Sequence, residues 1–235
     1  MIQFRSRTVP EHRYQQYCVL ARALDVVGDR WTLLIVRELA PGARRFTDLI
    51  DGLPGISRPL LTDRLRSLER DGIVARDELP LPAARQVYSL TDDGRALVAA
   101  MAPLMAWGLR RVGDRRPGDT FRPRWSAVSM AGLADREATK GVSETYQYVV
   151  GDVAFHFRVD DGTIEVYDGR AEDAAVVLTT DEETWADLFS GGTTYAAAVA
   201  AGTLTVSGDA RAVKRLRRIF SRERLLANAE VMGAG

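Results

Sequence analysis

The run SRPLLTDRLRSLER, residues 57–70, carries the side chains best suited to chemistry with another molecule. At about 100° per residue, Leu61, Leu65 and Leu68 share one helix face, Pro59, Asp63, Arg66 and Arg70 project near the opposite one, and Thr62 lies at its edge. A guanidinium can donate to two acceptors of one guanine, which makes Arg58 and Arg66 candidates for reading a base. Ser57, Pro59, Thr62 and Asp63 stand with them in the first turns, the part of a groove-lying helix that reaches base edges. Arg85 and Arg76, further on, are placed to touch phosphates or to enter a minor groove. The alternative is that these arginines merely solvate a helix face.

Catalytic chemistry has little to draw on. Two histidines, His12 and His156, and one cysteine leave general acid–base catalysis and metal binding poorly supplied. A G-x-S-x-G elbow, a phosphate loop, a Rossmann glycine pattern and HExxH are all missing. The chain is therefore expected to be no enzyme and to hold neither a cofactor nor a metal ion. Cys18 is either a redox-responsive thiol, favoured by a helix start and nearby arginines, or a small half-buried apolar residue. A lone cysteine excludes an intramolecular disulfide and suits a reducing interior.

The elements that must position residues 57–70 follow from apolar spacing. Leu20, Leu24, Val27, Trp31 and Leu34 make one stripe, interrupted by Gly28 and Asp29; the glycine is expected to end one helix in a left-handed conformation and the aspartate to cap the next. Phe46, Leu49, Ile50 and Leu53 mark a short helix stopped by Pro54 and Gly55, and Ser57 is the expected N-cap of the helix that Gly72 ends. Two short helices joined by a glycine-bearing turn make a helix-turn-helix. IVARDEL and RQVYSL then read as strands of a ribbon whose tip, PLPAA, is barred from helix by its prolines. Thr91 is placed to cap a last helix, 92–112, apolar on more than one side. A partner subunit is the economical cover for so wide a surface.

Residues 114–119 have linker chemistry, so the boundary is expected there, with domains at 1–113 and 120–235. Beyond a helical stretch near Trp125 to Leu133 the period becomes two: Val153, Phe155, Phe157 and Val159 alternate with Ala154, His156 and Arg158. TIEVYDG and AAVVLTT are further strands, Asp181 opens a helix, an alanine-rich helix ends near Gly202, and TLTVSG precedes a helix capped by Asp209. The fold expected is two domains: a mainly α winged helix-turn-helix, then an α+β domain with an antiparallel sheet covered by helices. Phe155, Phe157, Trp185, Phe189 and Tyr195 either line a ligand pocket or fill the core of that domain. The basic run Arg211, Lys214, Arg215, Arg217, Arg218, Arg222 and Arg224 either meets acidic lipid or DNA or forms a solvated face.

Charge follows the same division. Residues 1–116 hold 19 Arg and Lys against 14 Asp and Glu, and 117–235 hold 13 against 18, so a basic half precedes an acidic one although the whole is neutral. The N-terminus lacks the apolar core of a signal peptide and no run is long enough to span a bilayer, from which a cytoplasmic protein without membrane insertion is expected.

LDVVGDRWTLLIVREL, RRFTDLIDGLPGISRPLLTDRLRSLERDGIVAR and VYSLTDDGRAL, in that order, resemble the HxlR family of winged-helix transcriptional regulators over roughly residues 14–112. The resemblance implies a homodimer bound to palindromic double-stranded operator DNA. Many members carry Cys-Pro near the start of this domain; here Cys18 is followed by Val19. VAFHFRVDDGTIEVYDG and DEETWADLFSGGTTYAAAVAAGTLTVSGD look like a sterol-carrier-protein type-2-like domain, which implies an apolar tunnel and hence an apolar small-molecule effector. The competing reading is a lipid carrier whose winged helix serves dimerisation or protein contact alone.

Overall fold

The computed structural model describes residues 14–79, 85–109, 111–112, 116 and 118–234. Half of the expected linker, residues 114, 115 and 117, and the ribbon tip 80–84 lie outside the described residues.

The N-terminal unit runs α1 (Val19–Val27), α2 (Thr32–Leu39), β1 (Arg44–Arg45), α3 (Phe46–Gly52), α4 (Arg58–Arg70), β2 (Val74–Leu79), β3 (Arg85–Leu90) and α5 (Asp92–Leu109). Its core is Ile35, Val36 and Leu39 of α2, Leu49 of α3, Leu61, Leu65 and Leu68 of α4, and Ile73, Tyr88 and Leu90 around the ribbon. Burying one apolar face of α2, α3 and α4 is what stabilises them, since helices of this length are marginal alone. β2 and β3 pair antiparallel from Val74 opposite Leu90 to Leu79 opposite Arg85, and β1 adds a third strand that sequence reasoning did not foresee. Thr91 accepts from the Gly94 amide at 3.1 Å and donates to the Gly72 carbonyl at 2.6 Å, tying the start of α5 to the end of α4.

The joint between α1 and α2 differs from expectation. Gly28 is right-handed at φ −70° and Trp31 takes the left-handed conformation at φ +82°. A bulky residue there is strained, and the strain is borne because the indole packs against the core. Asp29 caps no helix with its side chain, which instead pairs with Arg64 of α4. The α1 stripe also faces outward: Leu20 and Leu24 are exposed, and Ala21 is the buried residue of that helix.

The C-terminal unit runs α6 (Pro123–Leu133), β4 (Ser143–Val150), β5 (Val153–Asp160), β6 (Thr163–Asp168), β7 (Val176–Thr180), α7 (Glu182–Ser190), α8 (Tyr195–Ala201), β8 (Leu204–Gly208), α9 (Ala210–Phe220) and α10 (Arg222–Ala234). The sheet order is β6-β5-β4-β7-β8. It is mixed rather than antiparallel throughout, because β4 and β7 run parallel. β6 ends level with Tyr148 and β7 begins level with Tyr146, so the crossover of residues 169–175 retreats little and a short segment suffices. That segment crosses the face carrying Gln147 and His156. Gln147 accepts from the Ala171 amide at 2.6 Å, and His156 Nδ1 lies 3.1 Å from the Gly169 carbonyl while its ring stacks on Tyr167. The opposite face, with Tyr146, Tyr148, Phe155 and Phe157, is covered by α6, α7, α9 and α10.

The two units are in contact. α10, a helix the apolar spacing did not reveal, lies along α5, and α6 packs on α5 and α2. Arg44 pairs with Asp168, and Arg122 donates to the Asp51 carbonyl at 2.7 Å.

Candidate functional site

Ser57 has extended backbone and accepts the Leu60 amide at 3.4 Å, and Pro59 occupies the first turn, where its missing amide hydrogen costs nothing. This cap fixes where α4 begins. With Leu61, Leu65 and Leu68 buried beneath, Ser57, Arg58, Pro59, Asp63 and Arg66 are exposed and Thr62 is half-buried. Arg66 and Asp63 face each other at 4.0 Å with side chains 73% and 71% exposed, so the pair is a loose surface contact. Thr62 donates to the Arg58 carbonyl at 3.0 Å, and the Arg58 guanidinium sits 5.9 Å from the Phe46 ring centroid. These six residues form one outward surface of charge and hydrogen-bonding groups on a helix anchored from behind. Arg76 of β2 is exposed on the ribbon; the Arg85 side chain lies outside the described residues, though its backbone pairs with Leu79. Arg64, in the same helix, is turned away to Asp29.

Cys18 is the exposed N-cap residue of α1, without a capping hydrogen bond from its side chain. The nearby backbone amides of Ala21 and Leu20 hold its thiol below the ordinary value.

A cavity of about 250 Å³ opens between α7, α8, α9 and α10. Trp185, Phe189 and Tyr195 are on its wall, together with Tyr148, Met130 and Leu109. Phe155 and Phe157 are not: both are fully buried behind the wall, Phe155 stacked on Tyr148 at 5.3 Å and Phe157 on Phe220 at 4.5 Å. Alternation along β5 identified their face but not which part of it is packed solid. Arg217 and Arg222, read from sequence as part of a basic run, join the lining; Arg217 lies 4.7 Å over the Tyr195 ring, and Arg222 donates to the Phe189 and Ser190 carbonyls that end α7. The surface is thus apolar with a charged edge of Arg217, Arg222 and Glu223. Burial pushes the Tyr148 and Tyr195 phenols above their ordinary values, so both stay protonated at neutral pH. Among the described residues no group of three or more His, Cys, Asp or Glu side chains is gathered to hold a metal ion, and no helix is long and apolar enough to cross a membrane.

The model of the HxlR-like helix-turn-helix family matches residues 26–115. The HTH-type transcriptional regulator YodB of Bacillus subtilis is 37% identical over 98 residues, which are 42% of this chain and 85% of YodB. The chain belongs to the HxlR-like family. The HTH-type regulator YvaP of the same organism is 40% identical over 37% of this chain and 80% of its own length. One from Mycobacterium tuberculosis is 47% identical over 97 residues, so that the chain spans 60% of that relative's length. The solved reduced form of YodB, 34% identical, covers 44% of this chain and all of its own, with a TM-score of 0.38. The HxlR-like match contains α4 and the ribbon. A second model, of the SCP-2 sterol transfer family, matches residues 129–221, which hold the five-stranded sheet and α7 to α9. α10 lies beyond that match.

Proposed function

We propose that this HxlR-like chain is a homodimeric transcriptional regulator that lays α4 in the major groove of palindromic operator DNA, with domains at 1–113 and 120–235 and a cytoplasmic location. The observation that carries the reading is the α4 surface: Ser57, Arg58, Pro59, Asp63 and Arg66 point outward from a helix whose apolar face is locked in the core. Arg58 and Arg66 read guanine, Ser57, Pro59, Thr62 and Asp63 contact the neighbouring base edges and backbone, and Arg76 and Arg85 of the ribbon follow the phosphates. Exposed Leu20, Leu24, Leu104 and Trp107 on α1 and α5 support a second copy as partner, because isolated soluble domains seldom leave so many large apolar side chains in water. The cavity supports an apolar small-molecule effector, with Trp185, Phe189 and Tyr195 as its contacts. Cys18 is a thiol that an oxidant can reach, and its modification is a second route of control.

The same cavity also favours the rival reading of a lipid carrier. Selecting duplexes from a random pool with the full-length protein, then measuring affinity across salt, separates the two. A regulator recovers a palindrome and its affinity falls steeply with salt while sequence preference persists. A carrier recovers no common sequence, and that result would end the regulator reading.

A further inference from the structure

We infer that α6 is a lever that carries occupancy of the cavity to the end of α3, and so to the turn that aims α4. This rests on the reading of the cavity as an effector site and adds how that site acts.

α6 is attached on two sides. Towards the cavity, Met130 and Leu133 form part of the wall, and buried Ser126 accepts from the indole of Trp185, itself a wall residue, at 2.8 Å. One residue earlier, the Trp125 indole donates to Glu38 Oε1 of α2 at 2.6 Å. Glu38 is a carboxylate almost wholly inside the molecule, 3% exposed. Arg37 donates to the same oxygen at 2.7 Å and covers the Trp125 ring at 4.3 Å. The other carboxylate oxygen is pressed against α3: a Cβ on Gly52 would stand 2.4 Å from it. At the helix start, Arg122 holds the Asp51 carbonyl. Asp51 and Gly52 are the last residues of α3, followed by the turn 53–56 and the Ser57 cap of α4.

A buried carboxylate does not give up its donors readily, and a close-packed interior transmits a displacement rather than absorbing it. A ligand that pushes the Trp185 ring therefore acts on Ser126, and α6 cannot shift without either breaking the Trp125–Glu38 and Arg122–Asp51 bonds or moving the end of α3 with it. The two arrangements differ in whether the Trp185–Ser126 bond is made, and a ligand must favour one of them to have any effect. Adjacency alone would not establish coupling; the bistable contact is what the test addresses.

The test uses full-length protein and anilinonaphthalene sulfonate as the apolar probe, with hydrogen exchange read by mass spectrometry. Fluorescence together with slowed exchange in residues 182–190 reports that the cavity is filled. Residues 46–56 should then change their exchange by roughly threefold or more in the wild type. In Trp125→Phe, which removes the donor to Glu38, the probe should still fill the cavity while 46–56 stay unchanged; Ser126→Ala, which cuts the cavity end by removing the acceptor of the Trp185 indole without altering the wall, should behave alike and serves if Trp125→Phe folds poorly. Glu38→Gln keeps an acceptor oxygen and should retain the response. A filled cavity with 46–56 silent in the wild type, or equally responsive in both cut variants, overturns the lever and leaves the cavity reading standing. Failure of the probe to protect 182–190 overturns the cavity reading, and the lever falls with it.

Discussion

Arg64 and Arg66 stand two positions apart, and their surroundings give them different work. Arg64 is paired with Asp29 and braces α4 against the α1–α2 joint, whereas Arg66 extends into solvent with only a 4.0 Å approach to Asp63. Helix periodicity assigned Arg66 outward correctly, because the apolar face beneath it is unambiguous; it had no means of detecting that Asp29, 35 residues away, reaches Arg64. On the proposed reading, truncating Arg66 should leave the fold intact and remove a base contact. Arg66→Ala is expected to weaken binding to the selected palindrome by about 1–3 kcal/mol, roughly fivefold to 150-fold, with the thermal midpoint unchanged. Anisotropy titration with the selected duplex measures the first and circular dichroism the second; undiminished affinity would remove Arg66 from the interface.

Among the elements, α5 shows how little room the ribbon allows. A Cβ at Gly94 would lie 2.3 Å from the Ile73 carbonyl oxygen, a backbone atom that cannot swing aside. Gly94→Ala should therefore destabilise the protein by about 1–3 kcal/mol in urea melts, despite alanine's better helix propensity. A stabilised variant would mean that α5 does not dock this closely. A second tie joins β4 to α9 through Glu144 and Arg215. Burial alone would raise the Glu144 carboxyl, but hydrogen bonds from Arg215 and Tyr146 outweigh it and hold it below its ordinary 4.5. A carboxyl lowered in the folded state contributes stability in full above its unfolded value and loses it as pH falls through the folded one. Urea midpoints of the wild type should thus drop on acidification from about pH 6 to about pH 3, and Arg215→Met should drop less over that window. Equal slopes would show that the pair contributes nothing. The basic run that contains Arg215 was legible in the sequence; the division of its members among Glu144, the Tyr195 ring and the end of α7 was not.

For the whole molecule, exposed apolar side chains on α1 and α5 lead to a further expectation. Wild-type protein should sediment at twice the monomer mass, and Leu20→Glu combined with Leu24→Glu should yield monomers that retain their helix content. A wild-type monomer at micromolar concentration would defeat the homodimer. Composition and local spacing on their own determined much: the helix-turn-helix with its ribbon, the Ser57, Thr91, Asp181 and Asp209 caps, and the alternating strands of the second unit, because each depends on residues within a few positions of one another. Tertiary structure alone decided that Trp31 and not Gly28 takes the left-handed turn, that β7 runs parallel to β4, that Phe155 and Phe157 are core while Trp185 borders a cavity, and that α6 binds both units through Trp125 and Ser126. Those outcomes turn on which distant surfaces meet and how fully they pack, and burial energy between such surfaces is large enough to override a local preference.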